Sequence, residues 1–135
     1  MHGPFEGVRF ARWVFGVASV WGVLVLTPMY WTFDLTGKLS PPPVNHPEYY
    51  YGFVGVALAW QFAFFVIARD PVRFRPLMIP AIFEKLSFVV AIAVLLAQKR
   101  VSVVQSLGAG PDAILAVLFS LAFFKLRPRD AERSA

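Results

Sequence analysis

Residues 77–98 read Leu77-Met-Ile-Pro-Ala-Ile-Phe-Glu84-Lys85-Leu-Ser87-Phe-Val-Val-Ala-Ile-Ala-Val-Leu-Leu-Ala-Gln98. Apart from one adjacent acid–base pair, this is an apolar run long enough to cross about 30 Å of hydrocarbon as a helix, which takes roughly 20 residues. Three further runs of the same kind surround it: Phe10–Trp31, Tyr51–Ala68 and Asp112–Leu126. The last is the shortest. Lys125 and Arg127 can lengthen it by reaching along their stems to the interface. The expected fold is all-α: one domain of residues 1–135, an antiparallel bundle of four transmembrane helices.

Composition agrees. A 135-residue chain with 58% hydrophobic residues and a mean hydropathy of +0.61 is too apolar for an ordinary soluble domain. The net charge of +5 raises the question of nucleic acid. The basic residues flank the apolar runs instead of striping a soluble face, so no nucleic-acid partner is expected. Cysteine is absent, which excludes disulfides, thiolate nucleophiles and iron–sulfur clusters. His2 and His46 both lie outside the runs, so no haem, metal or other cofactor is expected in the bundle.

Arg9 and Arg12 precede the first run. Arg69, Arg73 and Arg75 separate the second from the third, and Lys125, Arg127, Arg129 and Arg133 follow the fourth. The opposite loops carry only Lys38, Lys99 and Arg100. The positive-inside rule then puts both termini in the cytoplasm. The expected place is a cell inner (plasma) membrane. The first run is too long for a signal-peptide core, and no small-residue cleavage site follows it. Trp13, Tyr30, Trp31 and Tyr49–Tyr51 sit where an interfacial aromatic belt belongs.

Between the first two runs, Ser40-Pro41-Pro42-Pro43 reads as a stiff outer strap. Gly108-Ala109-Gly110-Pro111 reads as a break before the fourth run, with Asp112 a cap or first-turn residue. Small residues mark packing faces: Ala11, Ala18 and Gly22; Gly55, Ala59 and Ala63; Ala113, Ala116 and Ser120. These faces serve packing within the chain or, failing that, a homodimer.

A charge inside lipid is costly, so Glu84 is the main candidate for function. Counted from the run ends, Gln61, Glu84 and Ser120 fall at similar depth, about 10 Å from the inner interface at 1.5 Å per residue. The stripe Pro80, Glu84, Ser87, Ala91 and Gln98 is expected to face inward. Lys85 is expected to snorkel to the inner headgroups, because adjacent helix residues do not face each other. The expected pocket lies near Gln61, Glu84 and Ser120, with Lys85 and Ser87 beside it and Trp60, Phe64 and Phe88 as walls. A second, weaker cluster is the outer-loop set Asp34, His46 and Glu48, whose spacing matches no established metal site.

The stretches His46-Pro47-Glu48-Tyr49-Tyr50-Tyr51-Gly52-Phe53, Arg69-Asp70-Pro71-Val72-Arg73-Phe74-Arg75-Pro76 and Ile79-Pro80-Ala81-Ile82-Phe83-Glu84-Lys85-Leu86 resemble short bacterial membrane proteins of unassigned function. The layout also resembles that of DoxX-like four-helix proteins. The resemblance implies an inner-membrane bundle without an assigned chemistry. Small multidrug exporters share four short spans and an intramembrane glutamate, but carry it in the first helix rather than the third. Sterol-isomerase-like proteins use several buried acids, and only Glu84 qualifies by sequence.

The sequence therefore points first to a non-enzymatic membrane bundle that packs with a larger partner or shelters a lipid-like, hydrophobic small molecule. Proton-coupled transport through Glu84 is one alternative. A membrane enzyme with Glu84 as general acid/base is the other.

Overall fold

The computed structural model describes residues 4–126, and Arg127, Arg129, Arg133 and His2 lie outside them. Six α-helices follow one another: α1 (Pro4–Leu26), α2 (Phe33–Leu39), α3 (Pro47–Arg69), α4 (Met78–Ala97), α5 (Val103–Ser106) and α6 (Gly110–Lys125). Four stretches are long and apolar enough to cross a membrane: Phe5–Tyr30, Pro47–Arg69, Arg75–Ala97 and Val103–Lys125. The expected four-helix, all-α architecture is thus present.

Prolines and caps set the helix ends. Pro28 lacks an N–H and turns α1 into a 3₁₀ segment, Thr27–Tyr30. Pro47 opens α3 at its first turn, where a missing donor costs nothing. α4 closes at Lys99, which takes a left-handed φ of 58°, while the Arg100 N–H donates to the Leu95 carbonyl at 2.9 Å. Ser102 and Gln105 form a capping box at the start of α5.

Two expectations about connections change. The loop between the first two spans is not all strap, because Phe33–Leu39 is helical. The Gly108–Pro111 segment does not interrupt the fourth span. α5 runs through a 3₁₀ turn, Leu107–Ala109, directly into α6. Gly108 and Gly110 have negative φ, so neither uses the freedom that makes glycine a breaker, and Pro111 sits in the first turn of α6, where it fits. The fourth span is therefore 23 residues long, and its shortness by sequence disappears.

α1 packs along α3 on one side and along α6 on the other, and α4 packs along α6. Gly16 of α1 lies beside Ala68 and Gly22 beside Gln61, so α1 and α3 run antiparallel. α3 and α4, though consecutive, touch sparsely. Where they meet, Phe53 stacks on Phe88 with ring centroids 6.3 Å apart. The cross-section is a horseshoe in the order α3, α1, α6, α4, open between its ends.

The two halves of the bundle differ. At the end holding the start of α1, Phe15, Phe64 and Phe119 meet from three helices, at centroid separations of 4.1, 5.0 and 6.1 Å. Ala11, Ala18, Ile67, Met78, Ala81 and Ala122 close around them without exposure. Arg75 fastens this end by donating from Nε and Nη2 to the Phe123 carbonyl (3.2 and 3.1 Å), satisfying an orphan acceptor near the α6 C-terminus. The other half, where Ala18, Gly22, Ala57 and Gly108 stand among larger side chains, holds a cavity.

The small-residue faces are only partly as expected. Ala11, Ala18 and Gly22 are all buried. On α3 the buried stripe is Val54, Ala57, Gln61, Phe64 and Ile67. Ala59 is exposed, and Gly55 and Ala63 are half-buried, because α1 seats on the neighbouring stripe. On α6, Ala116 is buried, whereas Ala113 and Ser120 are half-buried.

Gly22 permits the closest approach. A Cβ there would overlap the Gln61 carboxamide, which is itself held by donation from Nε2 to the Ala57 carbonyl at 2.8 Å. Ser19 ties the same seam by donating to the Gln61 carbonyl at 2.7 Å. We expect Gly22→Ala to lower stability by about 1–3 kcal/mol, the usual cost of overpacking. Thermal unfolding in detergent measures this, with Gly108→Ala as the control, because a Cβ at Gly108 meets open space.

Candidate functional site

The buried stripe of α4 is Met78, Ala81 and Lys85. Pro80, Ser87, Ala91 and Gln98 are all exposed. The helix is therefore rotated from the expected orientation, and Lys85, not Glu84, points most directly inward. Lys85 does not snorkel to the helix end. It is only 5% exposed.

Its partners explain the burial. Lys85 Nζ donates to Asp112 Oδ1 at 2.9 Å. Glu84 Oε2 lies 3.5 Å from the same Nζ, an ion-pair contact without a hydrogen bond, and this oxygen is buried. The Phe64 ring lies beneath the ammonium, with its centroid 5.3 Å away. Glu84 and Lys85 thus do pair, contrary to expectation. The long lysine stem curls back far enough to meet its neighbour's carboxylate.

Asp112 is the functional residue missed by the sequence reading. Counting Val103–Lys125 as one helix places Asp112 thirteen residues before Lys125, about 20 Å at 1.5 Å per residue. Lys85 lies ten residues after Arg75, about 15 Å from the same end of the bundle. The signal was an acid within side-chain reach of a mid-helix lysine. It was hidden by treating the glycines before it as a break.

The triad lines a partly open cavity of about 380 Å³ to which every long helix contributes, with Trp21, Phe53, Gly108 and Pro111 among its exposed lining residues. Ala18, Trp21, Gly22 and Val25 come from α1, Phe53, Ala57 and Gln61 from α3, and Gly108, Pro111, Asp112 and Leu115 from the fourth span. Tyr50, at the start of α3, donates to the carbonyl of Met29, another wall residue, at 2.8 Å. A second space of about 510 Å³ is a groove on the outside of the α3–α4 gap, lined by Glu48, Tyr49, Phe53, Trp60, Ser87 and Phe88 among others. Phe53, Ala57, Glu84 and Phe88 belong to both spaces. Glu84 is therefore set in the partition between cavity and groove.

The expected site residues sort as follows. Gln61, Glu84 and Lys85 share the cavity. Trp60 and Ser87 face the outer groove, where Ser87 Oγ donates to the Glu84 carbonyl at 2.9 Å. Phe88 walls both spaces, while Phe64 lies below Lys85 in the packed half. Ser120 lines neither space, since its Oγ donates to the Ala116 carbonyl at 2.8 Å on its own helix. Gln61 makes no bond to Glu84. In the loop, His46 Nδ1 and Glu48 Oε1 pair at 3.2 Å in an exposed position, and Asp34 sits in the first turn of α2. Among the described residues, no three His, Asp or Glu side chains gather as a metal site would require.

No protein-family model, curated protein or solved structure matches this chain. Its chemistry must be argued from the triad itself. With both carboxylates ionised, the triad sums to one excess negative charge in low-dielectric surroundings. The arrangement can therefore receive a proton or a cationic group.

Removing one member of a buried ionic set leaves the others uncompensated, which typically costs 3–5 kcal/mol. We expect Lys85→Met to lose about that much stability. The triple substitution Glu84→Gln, Lys85→Met, Asp112→Asn should recover most of it. Chemical unfolding of the purified protein in detergent distinguishes the two.

Proposed function

We propose that this protein is a multi-pass membrane protein, with both termini in the cytoplasm, that binds a small amphipathic molecule at the Glu84–Lys85–Asp112 centre. The observation that carries the proposal is the position of these charges in a cavity walled by all four long helices, next to a lateral gap between α3 and α4. In a bilayer that gap faces lipid. A molecule dissolved among the acyl chains would lie in the groove and reach Glu84 past Phe53 and Phe88. Its apolar part would rest on Trp60 and the two phenyl rings. Its polar head, a cation or a hydroxyl group, would meet the partly accessible carboxylate.

A binding or sheltering role is favoured over catalysis, because the hydroxyl next to Glu84 on the groove side, Ser87, is committed to the Glu84 carbonyl of its own helix. The four-span layout is the one expected of DoxX-like inner-membrane proteins, and we retain that assignment as part of the proposal. Proton-coupled exchange is the second reading. It is favoured by two carboxylates sharing one ammonium, because a cation arriving at Glu84 would displace a proton or leave Lys85 wholly to Asp112.

The test uses a dansyl-labelled long-chain alkylamine and its uncharged alcohol analogue, titrated into the detergent-purified protein. We expect saturable binding of at least one probe, with amine affinity reduced about tenfold or more in Glu84→Gln. Ser120→Ala should leave affinity unchanged. Absence of saturable binding by both probes would refute the proposal. Proton release on amine binding in weak buffer would favour exchange. Accessibility tagging that placed either terminus outside would refute the orientation.

A further inference from the structure

On the opposite flank of α3, away from the triad, lies a third space of about 590 Å³, a groove between α1 and α3. Its floor and walls are Gly16, Val17, Val20, Leu24, Phe65 and Ala68, with Trp13 and Trp21 along the rim. Gly16 creates the depth, because its nearest neighbour across the seam is the Ala68 methyl. At one end stand two guanidinium groups, Arg12 from α1 and Arg69 from α3, the latter 6.0 Å over the Phe65 ring. Antiparallel packing brings them together, since the start of α1 lies beside the end of α3.

We propose that this groove seats one anionic phospholipid of the leaflet that the arginine end faces. Two features select that occupant. From Arg12 to Leu24 the groove runs along about 18 Å of helix at 1.5 Å per residue. One leaflet of a 30 Å hydrocarbon core is about 15 Å deep. An acyl chain from a single leaflet therefore fills it lengthwise. The two guanidinium groups and the Trp13 indole then lie at headgroup level, where Arg side chains bind phosphate oxygens in a fork and indoles prefer to sit. A second protein copy would instead bury two like charges from each subunit against each other. The proposal depends on the spans lying in a bilayer, and is independent of the ligand assigned to the triad.

The experiment places the chain in lipid nanodiscs, with Trp31 and Trp60 replaced by Phe so that only Trp13 and Trp21 report; because Trp21 also walls the triad cavity, the Trp13 signal in a further Trp21→Phe background decides. Phosphatidylglycerol or phosphatidylcholine with brominated acyl chains serves as quencher. We expect the anionic lipid to quench at about thirtyfold lower mole fraction than the zwitterionic one, the scale that two interfacial arginines confer at about 1 kcal/mol each. Arg12→Gln with Arg69→Gln should abolish the preference, Arg12→Lys with Arg69→Lys should keep much of it, and Arg100→Gln at the other end should leave it intact. Gly16→Leu should weaken quenching by both lipids. Equal quenching by the two lipids, or a preference surviving the double Gln variant, would overturn the proposal while leaving the bilayer reading standing. Shielding of both tryptophans in a cross-linkable dimer would overturn it in favour of a second copy. Failure of every brominated lipid to quench would refute bilayer embedding itself.

Discussion

The ammonium of Lys85 governs the arrangement. An amine that is 5% exposed among apolar helices must either lose its charge or be paired. Pairing fixes geometry more tightly than apolar contact does. Asp112 can accept at 2.9 Å only if α4 and α6 lie in one register and α4 turns its Met78–Ala81–Lys85 stripe inward. Glu84 is then carried to the edge of the interface, next to the gap that α3 leaves. A non-directional hydrophobic drive would have allowed other rotations of so uniformly apolar a helix. Buried ionic sets are weak sources of stability, and in some proteins their geometry fixes register.

The contrast between the halves follows from side-chain volume. Phe15, Phe64 and Phe119 fill the space on one side of the ammonium, each pair contributing about 0.5–1.5 kcal/mol beyond area burial. On the other side Ala18, Gly22, Ala57 and Gly108 interrupt a lining of larger side chains, among them Trp21, Met29, Phe53 and Phe88, and leave space between the helices. The same helices, at similar spacing, thus make a solid plug and a chamber. The plug supplies rigidity, and the phenyl ring of Phe64 supplies the floor on which the charge rests. The lateral wall of the chamber between α3 and α4 is two stacked rings, Phe53 and Phe88, where those helices touch sparsely.

The number of spans was legible because lipid-length apolar runs act locally. Their limits were less so: the second span opens at Pro47 and not at Tyr51, and the fourth at Val103 and not at Asp112. The rotation of α4 was not legible, since it depends on a partner in another helix. Choosing the most polar stripe as the inward one put Glu84 inside and Lys85 outside. Glycines before Asp112 carried the strongest local signal for a break, and local signal was the wrong guide there. With φ negative throughout, Gly108 and Gly110 are simply helical residues without side chains, leaving room for the chamber. Ser120 matched Glu84 in depth, but depth fixes height along the bundle and says nothing about azimuth.

Charge arithmetic then separates the two lateral grooves. The α3–α4 groove leads to a carboxylate belonging to a set with one more acid than base. The α1–α3 groove ends in two guanidinium groups with no carboxylate among its lining residues. Both have apolar walls of similar volume, so shape alone would give them the same occupants. Electrostatics in a low-dielectric surround is long-ranged and sign-selective. A cationic or proton-donating head is favoured at the first, which lies deep, and an anionic head at the second, which lies at the end of the bundle. Depth sharpens the difference. In the proposed bilayer setting the deep carboxylate would meet only solutes able to enter hydrocarbon, whereas the terminal guanidiniums would meet headgroups at high local concentration. On that proposal the second groove would suit standing occupancy by lipid and the first selective capture, with α3 contributing a different face to each.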